Sequence, residues 1–148
     1  MNANDIRLSD GSILTVNFGK PLKDEDAHQA AIFQWKNKEV RLAYPALKWL
    51  YATPNGGARD AITASVLKKT GVTRGILDMS LLMPVGDYAG LHIEQKYGTN
   101  KLSKEQIEYG NWLIDNHAYV ACCYDWKQSI DVILKYLNNE LDKPLRFK

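Results

Sequence analysis

The stretch Gly75-Ile-Leu-Asp-Met-Ser-Leu-Leu-Met-Pro84, followed across a turn at Gly86-Asp-Tyr88 by Tyr88-Ala-Gly-Leu-His-Ile-Glu-Gln-Lys96, decides how this chain folds. Both runs are short and apolar, and Gly and Pro punctuate them, which predicts two strands of an antiparallel hairpin. Asp78 sits in the first strand and Glu94 near the end of the second. A hairpin brings them back to one end of the sheet. Side chains two apart on a strand share a face, so Glu94 and Lys96 point together. His92 stands on the face opposite Leu91 and Ile93, and with His28 and His117 it makes no metal-ligand spacing.

Working outward, Asp24-Glu-Asp26 opens a helix with acids at the positive end of its dipole, carried by Ala27, Ala30, Ala31 and Phe33 to about Lys38. Pro45 begins a helical turn through Leu47 and Trp49, and Leu50 to Thr53 is a short strand entering the loop Pro54-Asn-Gly-Gly57. Ala58 to Thr70 reads as a helix stopped by Gly71. Beyond Lys96, Ser103 and Gln106 have capping-box spacing, with Leu102 and Ile107 as the hydrophobic staple of a helix reaching about Asn116. Ala118 to Tyr124 is a third central strand, and Trp126 to Asn139 a final amphipathic helix. At the other end, Ile6 to Phe18 reads as a hairpin turning at Ser9-Asp-Gly-Ser12. Helices interleaved with strands make the class α/β: a small mixed sheet flanked by helices, with an N-terminal β-hairpin.

A chain of 148 residues is expected to form one domain, 1–148, with 1–21 as the hairpin extension. Hydrophobic residues are 45% and charged ones 24%, which excludes a disordered chain. No run approaches the length of a membrane span, and the N-terminus carries no signal-peptide pattern, so a cytoplasmic protein is expected (host cytoplasm if viral). The net charge of +2 does not announce a nucleic-acid binder, but residues 58–74 and 95–104 each carry +3. Such clusters can grip phosphate backbones or be solvated surface. Cys122 and Cys123 are adjacent, badly placed to bridge each other, and expected to pack. Trp35, Trp49, Trp112 and Trp126 are expected in the core.

Two carboxylates and an ammonium around one point suit a hard divalent cation, Mg²⁺ or Mn²⁺. Such an ion activates water and neutralises phosphoryl charge, while the lysine stabilises developing negative charge. The spacing alone also fits a surface ion pair between Glu94 and Lys96.

Several pieces in order narrow the choice: Glu25-Asp-Ala-His-Gln29, Pro54-Asn-Gly-Gly-Ala-Arg59, Gly71-Val-Thr-Arg-Gly-Ile-Leu-Asp78, Ile93-Glu-Gln-Lys96 and Leu102-Ser-Lys-Glu-Gln106. Together they resemble the virus-type replication-repair nuclease (VRR-NUC) domain of the PD-(D/E)xK nuclease superfamily, in its stand-alone phage form. The resemblance spans about residues 24–137. It implies a restriction-endonuclease-like fold, with Asp78, Glu94 and the Gln95 carbonyl as metal ligands and Lys96 as the catalytic lysine. Glu25 would complete the metal site directly or through water, and Gln29 and Gln106 would line it. Glu25 also fits a plain helix N-terminus, and Gln106 a plain capping partner. Asn55, Arg59, Lys68, Lys69, Arg74, Lys101 and Lys104 are candidate DNA contacts. Leu77 stands where the family has proline, a position that supplies no ligand. The implied activity is a metal-dependent DNA endonuclease, a four-way-junction resolvase acting as a homodimer. The alternatives are a less selective duplex or flap nuclease and a silent DNA-binding module.

Overall fold

The computed structural model describes residues 5–7, 13–15, 21–54 and 61–148. At the N-terminus, β1 (Asp5–Arg7) pairs antiparallel with β2 (Ile13–Thr15), as the hairpin reading requires; its turn lies outside the described residues. The main sheet has four strands in the order β3 (Tyr51–Ala52), β4 (Met79–Leu81), β5 (Leu91–Gln95), β6 (Tyr119–Cys123). β3, β4 and β5 run antiparallel, whereas β6 is parallel to β5, so the sheet is mixed. The β5-to-β6 crossover is α4 (Lys104–Asp115), as a parallel pair needs.

The helices begin where side chains can cap them. Asp24 accepts from the Ala27 N–H at 2.7 Å to start α1 (Glu25–Trp35). His28, Ala31, Ile32 and Trp35 form its buried stripe. The expected continuation to Lys38 is corrected: Asn37 caps a separate helix, α2 (Lys38–Ala43), by accepting from the Val40 N–H at 3.1 Å. A 3-10 helix (Pro45–Trp49) follows, tied to the end of α1 by the Lys36 ammonium, which donates to the Leu47 and Leu50 carbonyls. α3 is Ala61–Lys69; its expected start at Ala58 lies outside the described residues. Asp125 caps α5 (Trp126–Leu137) by accepting from the Gln128 N–H.

Alternation divides the sheet's side chains between two cores. Met79, Leu81, Leu91, Ile93, Tyr119 and Cys123 pack with Ile32 and Trp35 of α1 and Ile130, Ile133 and Leu134 of α5. On the other side Leu77, Ala118 and Val120 pack with Leu113 of α4 and with Phe147. The C-terminal segment crosses α4 there. Asn111 both accepts from the Phe147 N–H and donates to its carbonyl, at 2.8 and 3.0 Å, and Arg146 pairs with Asp115. Gly110 makes room for the ring, since a Cβ there would lie 2.4 Å from Phe147 carbons. With both faces covered, all five residues of β5 are buried.

Two further expectations are corrected. The central strands are shorter than 75–84 and 88–96, because the chain leaves the ladder beyond Leu81 for a tight Val85–Tyr88 bridge with Gly86 at φ 57. Trp35 and Trp126 are core residues, but Trp49 and Trp112 are 69% and 58% exposed. Trp112 lies away from the Gly110–Leu113 face of α4 and stacks on Tyr109. Trp49 ends the 3-10 helix with the Lys48 ammonium 5.1 Å from its ring centre. Both cysteines are free, Cys123 buried and Cys122 half-buried; burial pushes the Cys123 thiol up to about 12, which suits packing. Among the described residues no helix is long and apolar enough to cross a membrane.

Candidate active site

The β4–β5 register places Met79 opposite Ile93, so Asp78 and Glu94 meet at the next step, where the ladder ends. They are joined by reciprocal bonds. The Asp78 N–H donates to Glu94 Oε2 at 3.1 Å, and the Gln95 N–H donates to Asp78 Oδ2 at 2.9 Å. Each carboxylate is therefore aimed by the backbone of the opposing strand. On its other oxygen Glu94 accepts from Gln106 Nε2 and faces Lys96 Nζ at 3.4 Å. Glu94 is 2% exposed and Lys96 8%, so this is a buried ion pair, which removes the surface-pair alternative.

Burial dominates the electrostatics. It pushes the Glu94 carboxyl up to about 8, and the neighbouring Asp78 charge adds to the rise while Lys96 opposes it. Asp78 is also raised, first by burial, against the lowering bond from the Gln95 N–H. Two carboxyls this close resist carrying two charges unless a cation joins them. Paired carboxylate oxygens are donors of the kind a hard cation takes. Among the described residues no group of three or more acidic, histidine or cysteine side chains stands together as a metal-binding cluster.

The Gln95 side chain points away from this cluster. Fully buried, it donates to the Lys96 and Cys123 carbonyls and accepts from Ser129 Oγ on α5, fixing the end of β5 against β6. Only its backbone carbonyl is available as a ligand. Gln106 performs both tasks its position suggested. Its Oε1 accepts from the Ser103 N–H at 2.8 Å, its own N–H donates to Ser103 Oγ, and its Nε2 reaches Glu94.

Glu25, the first residue of α1, is held by Asn100 Nδ2 at 2.9 Å and lies near enough for its charge to raise the Asp78 carboxyl. Among the described residues it joins no three-member ligand group. Gln29 is half-buried on α1. Lys68, Lys69, Arg74, Lys101 and Lys104 are all exposed, and none forms an ion pair among the described residues. Lys68 and Arg74 help to line a cleft of about 1220 Å³ between α3 and the start of α4, of which Gln106 is also a wall. Lys69, Lys101 and Lys104 are not among its lining residues. Asn55 and Arg59 lie outside the described residues.

Sequence reasoning missed the supports. Asn100 aims Glu25, and nothing in its polar loop signals that. His28 accepts from the Trp126 N–H through Nδ1 and stacks on Tyr97, directly after the site lysine. Here a signal existed, since His28 falls on the same helical stripe as Ile32 and Trp35. Cys122 is the register partner of Glu94 across the parallel pair.

No protein-family model matches the sequence. No curated protein matches it. Among solved structures, one described as a "VRR_NUC domain protein" superposes with a TM-score of 0.67 at 24% sequence identity, over 80% of this chain and 91% of that one. The mixed four-stranded sheet and its flanking helices thus share the fold of a protein described as a VRR_NUC domain protein.

Proposed function

We propose that this protein is a metal-dependent endonuclease that hydrolyses DNA phosphodiesters and selects branched structures, four-way junctions first among them. The observation that carries the reading is the Asp78–Glu94–Lys96 cluster, half-buried at Asp78 and buried at Glu94 and Lys96, built by backbone bonds across β4 and β5. A purely structural ion pair has no need of a second carboxylate crowded against the first, since that crowding costs stability. Asp78, Glu94 and the Gln95 carbonyl would hold Mg²⁺ or Mn²⁺, with Glu25 acting through water. The ion, when bound, supplies a more acidic water and neutralises phosphoryl charge. Lys96, anchored on Glu94, would place its ammonium against the charge that develops on the phosphoryl oxygens. Gln106 keeps Glu94 from turning out of line.

Junction resolution takes two symmetric cuts, so a chain with one such site would work as a two-fold dimer. The test is cleavage of an end-labelled four-way junction beside matched linear and flapped DNA, in Mg²⁺, Mn²⁺ and EDTA, with Lys96→Ala as control. Paired cuts in the junction alone, lost in EDTA and in the variant, are expected. Equal cutting of all three substrates would remove the resolvase reading and keep the nuclease. Metal-independent binding with no cutting would replace both by a silent DNA-binding module.

A further inference from the structure

The cleft between α3 and α4 is more than a charged groove. Leu67, Val72 and Ile76 contribute apolar wall, Lys68 and Arg74 stand as cations with no ion pair among the described residues, and one acid, Glu105, shares the lining. At about 1220 Å³ it exceeds the roughly 300–1,000 Å³ of small-molecule pockets. Gly75 sets its floor: with φ +86 its backbone lies so close to α4 that a Cβ would sit 2.6 Å from Glu105 backbone atoms. The wall residue Gln106 is the one that holds Glu94, so a chain lying in the cleft passes beside the side chain that restrains that carboxylate.

Duplex DNA shows a protein its phosphates and base edges, while the base faces are stacked on one another. Cations alone would serve a duplex. Apolar walls beside the cations suit bases taken out of the stack. We infer that the cleft binds a short unpaired stretch of DNA, phosphates toward Lys68 and Arg74 and bases against Leu67, Val72 and Ile76, and that this reads nucleotides unpaired at a branch point, as a flap carries them and as a four-way junction does once its central pairs open. The inference rests on the nuclease reading for its choice of DNA and deepens it by naming what the enzyme recognises.

The experiment is fluorescence anisotropy in EDTA, where nothing is cut, with a labelled short oligothymidylate and a blunt duplex of equal length. Wild-type protein is expected to bind the oligothymidylate about tenfold tighter or more, the effect of burying one or two base faces against aliphatic side chains. Val72→Asn, at a position 48% exposed and so tolerant of a polar group, should lose about that factor for the oligothymidylate and little for the duplex. Should Val72→Asn melt appreciably lower than wild type, Val72→Thr carries the same comparison. Arg74→Ala should weaken both probes and reduce the salt slope by about one. Equal affinity for the two probes, or equal loss of both in the Val72 variant, would overturn the inference even if the protein cuts DNA. Selective oligothymidylate binding without cleavage in Mg²⁺ would instead remove the nuclease reading and leave the cleft assignment standing.

Discussion

Raising the pH should destabilise the metal-free protein across the neutral range, because the Asp78–Glu94 pair is built to hold a proton. The ordinary Glu value is 4.5 and burial beside Asp78 lifts Glu94 to about 8, so the folded chain keeps a proton that the unfolded chain has released. Stability from this group is full below pH 4.5 and is lost as pH rises toward about 8. His92 works the other way. Burial lowers its pKa from 6.5, so it adds stability with rising pH only up to that value. Between pH 6.5 and about 8 the carboxyl pair dominates. One proton is worth roughly 1.4 kcal/mol per pH unit, and the group is already part-ionised as the pH nears its folded value, so the expected loss is about 1–2 kcal/mol. For a domain of this size that is a fall of roughly 3–8 °C in Tm. The assay is a set of thermal melts in EDTA across the window, for wild type and Glu94→Gln, whose neutral amide cannot titrate. The variant should be nearly flat. Added Mn²⁺ should raise the wild-type Tm more at the upper end, where no proton competes with it. A wild-type Tm that holds or climbs across the window, or a slope that survives in Glu94→Gln, would refute the reasoning.

Lys96→Ala should lower cleavage by about a hundredfold or more, as expected on removing a group that stabilises transition-state charge, yet keep the Mn²⁺-induced rise in Tm; loss of that rise would move Lys96 from chemistry to metal-site architecture. Gln106→Ala should cost about 1 kcal/mol of stability through the lost capping box and also slow cleavage, because Glu94 loses its amide donor. Denaturant melts and rates measured together separate the two effects, and full activity at reduced stability would deny Gln106 its second task. Gly110→Ala should destabilise by roughly 1–3 kcal/mol by driving Phe147 off α4. Combining it with Phe147→Ala should cost less than the sum of the two, and strict additivity in urea melts would mean the ring does not seat there.

What the sequence made legible follows from local chemistry. Asp24 and Ser103 stand at helix starts where the sequence places them, and the apolar runs flanking the Gly86 turn pair as strands. The meeting of Asp78 with Glu94 came from the hairpin, and that of Glu94 with Lys96 from strand parity. What escaped depends on distant neighbours or on competing short-range signals. The break between α1 and α2 turns on whether Asn37 caps a new helix or continues the old one, and composition alone favoured continuation. Trp49 and Trp112 looked like core because tryptophan is large and apolar, yet their exposure is set by which helical face meets the sheet. Asn100 reaches Glu25 across 75 residues, a contact no periodicity announces.

The double bonding of Gln106 bears on how the molecule opens. Its side chain closes the first turn of α4 and restrains Glu94 at once, so fraying of that turn and release of the carboxylate are one event. Helix ends ordinarily sit at the low-stability end of a protein's opening spectrum, while buried strand ends sit near the top. Here the two are tied into a single cooperative unit, and amide hydrogens at Gln106 and Ile107 should exchange with solvent on the same schedule as those at Asp78 and Gln95. A metal seated on the carboxylates would then slow exchange in a helix it never touches.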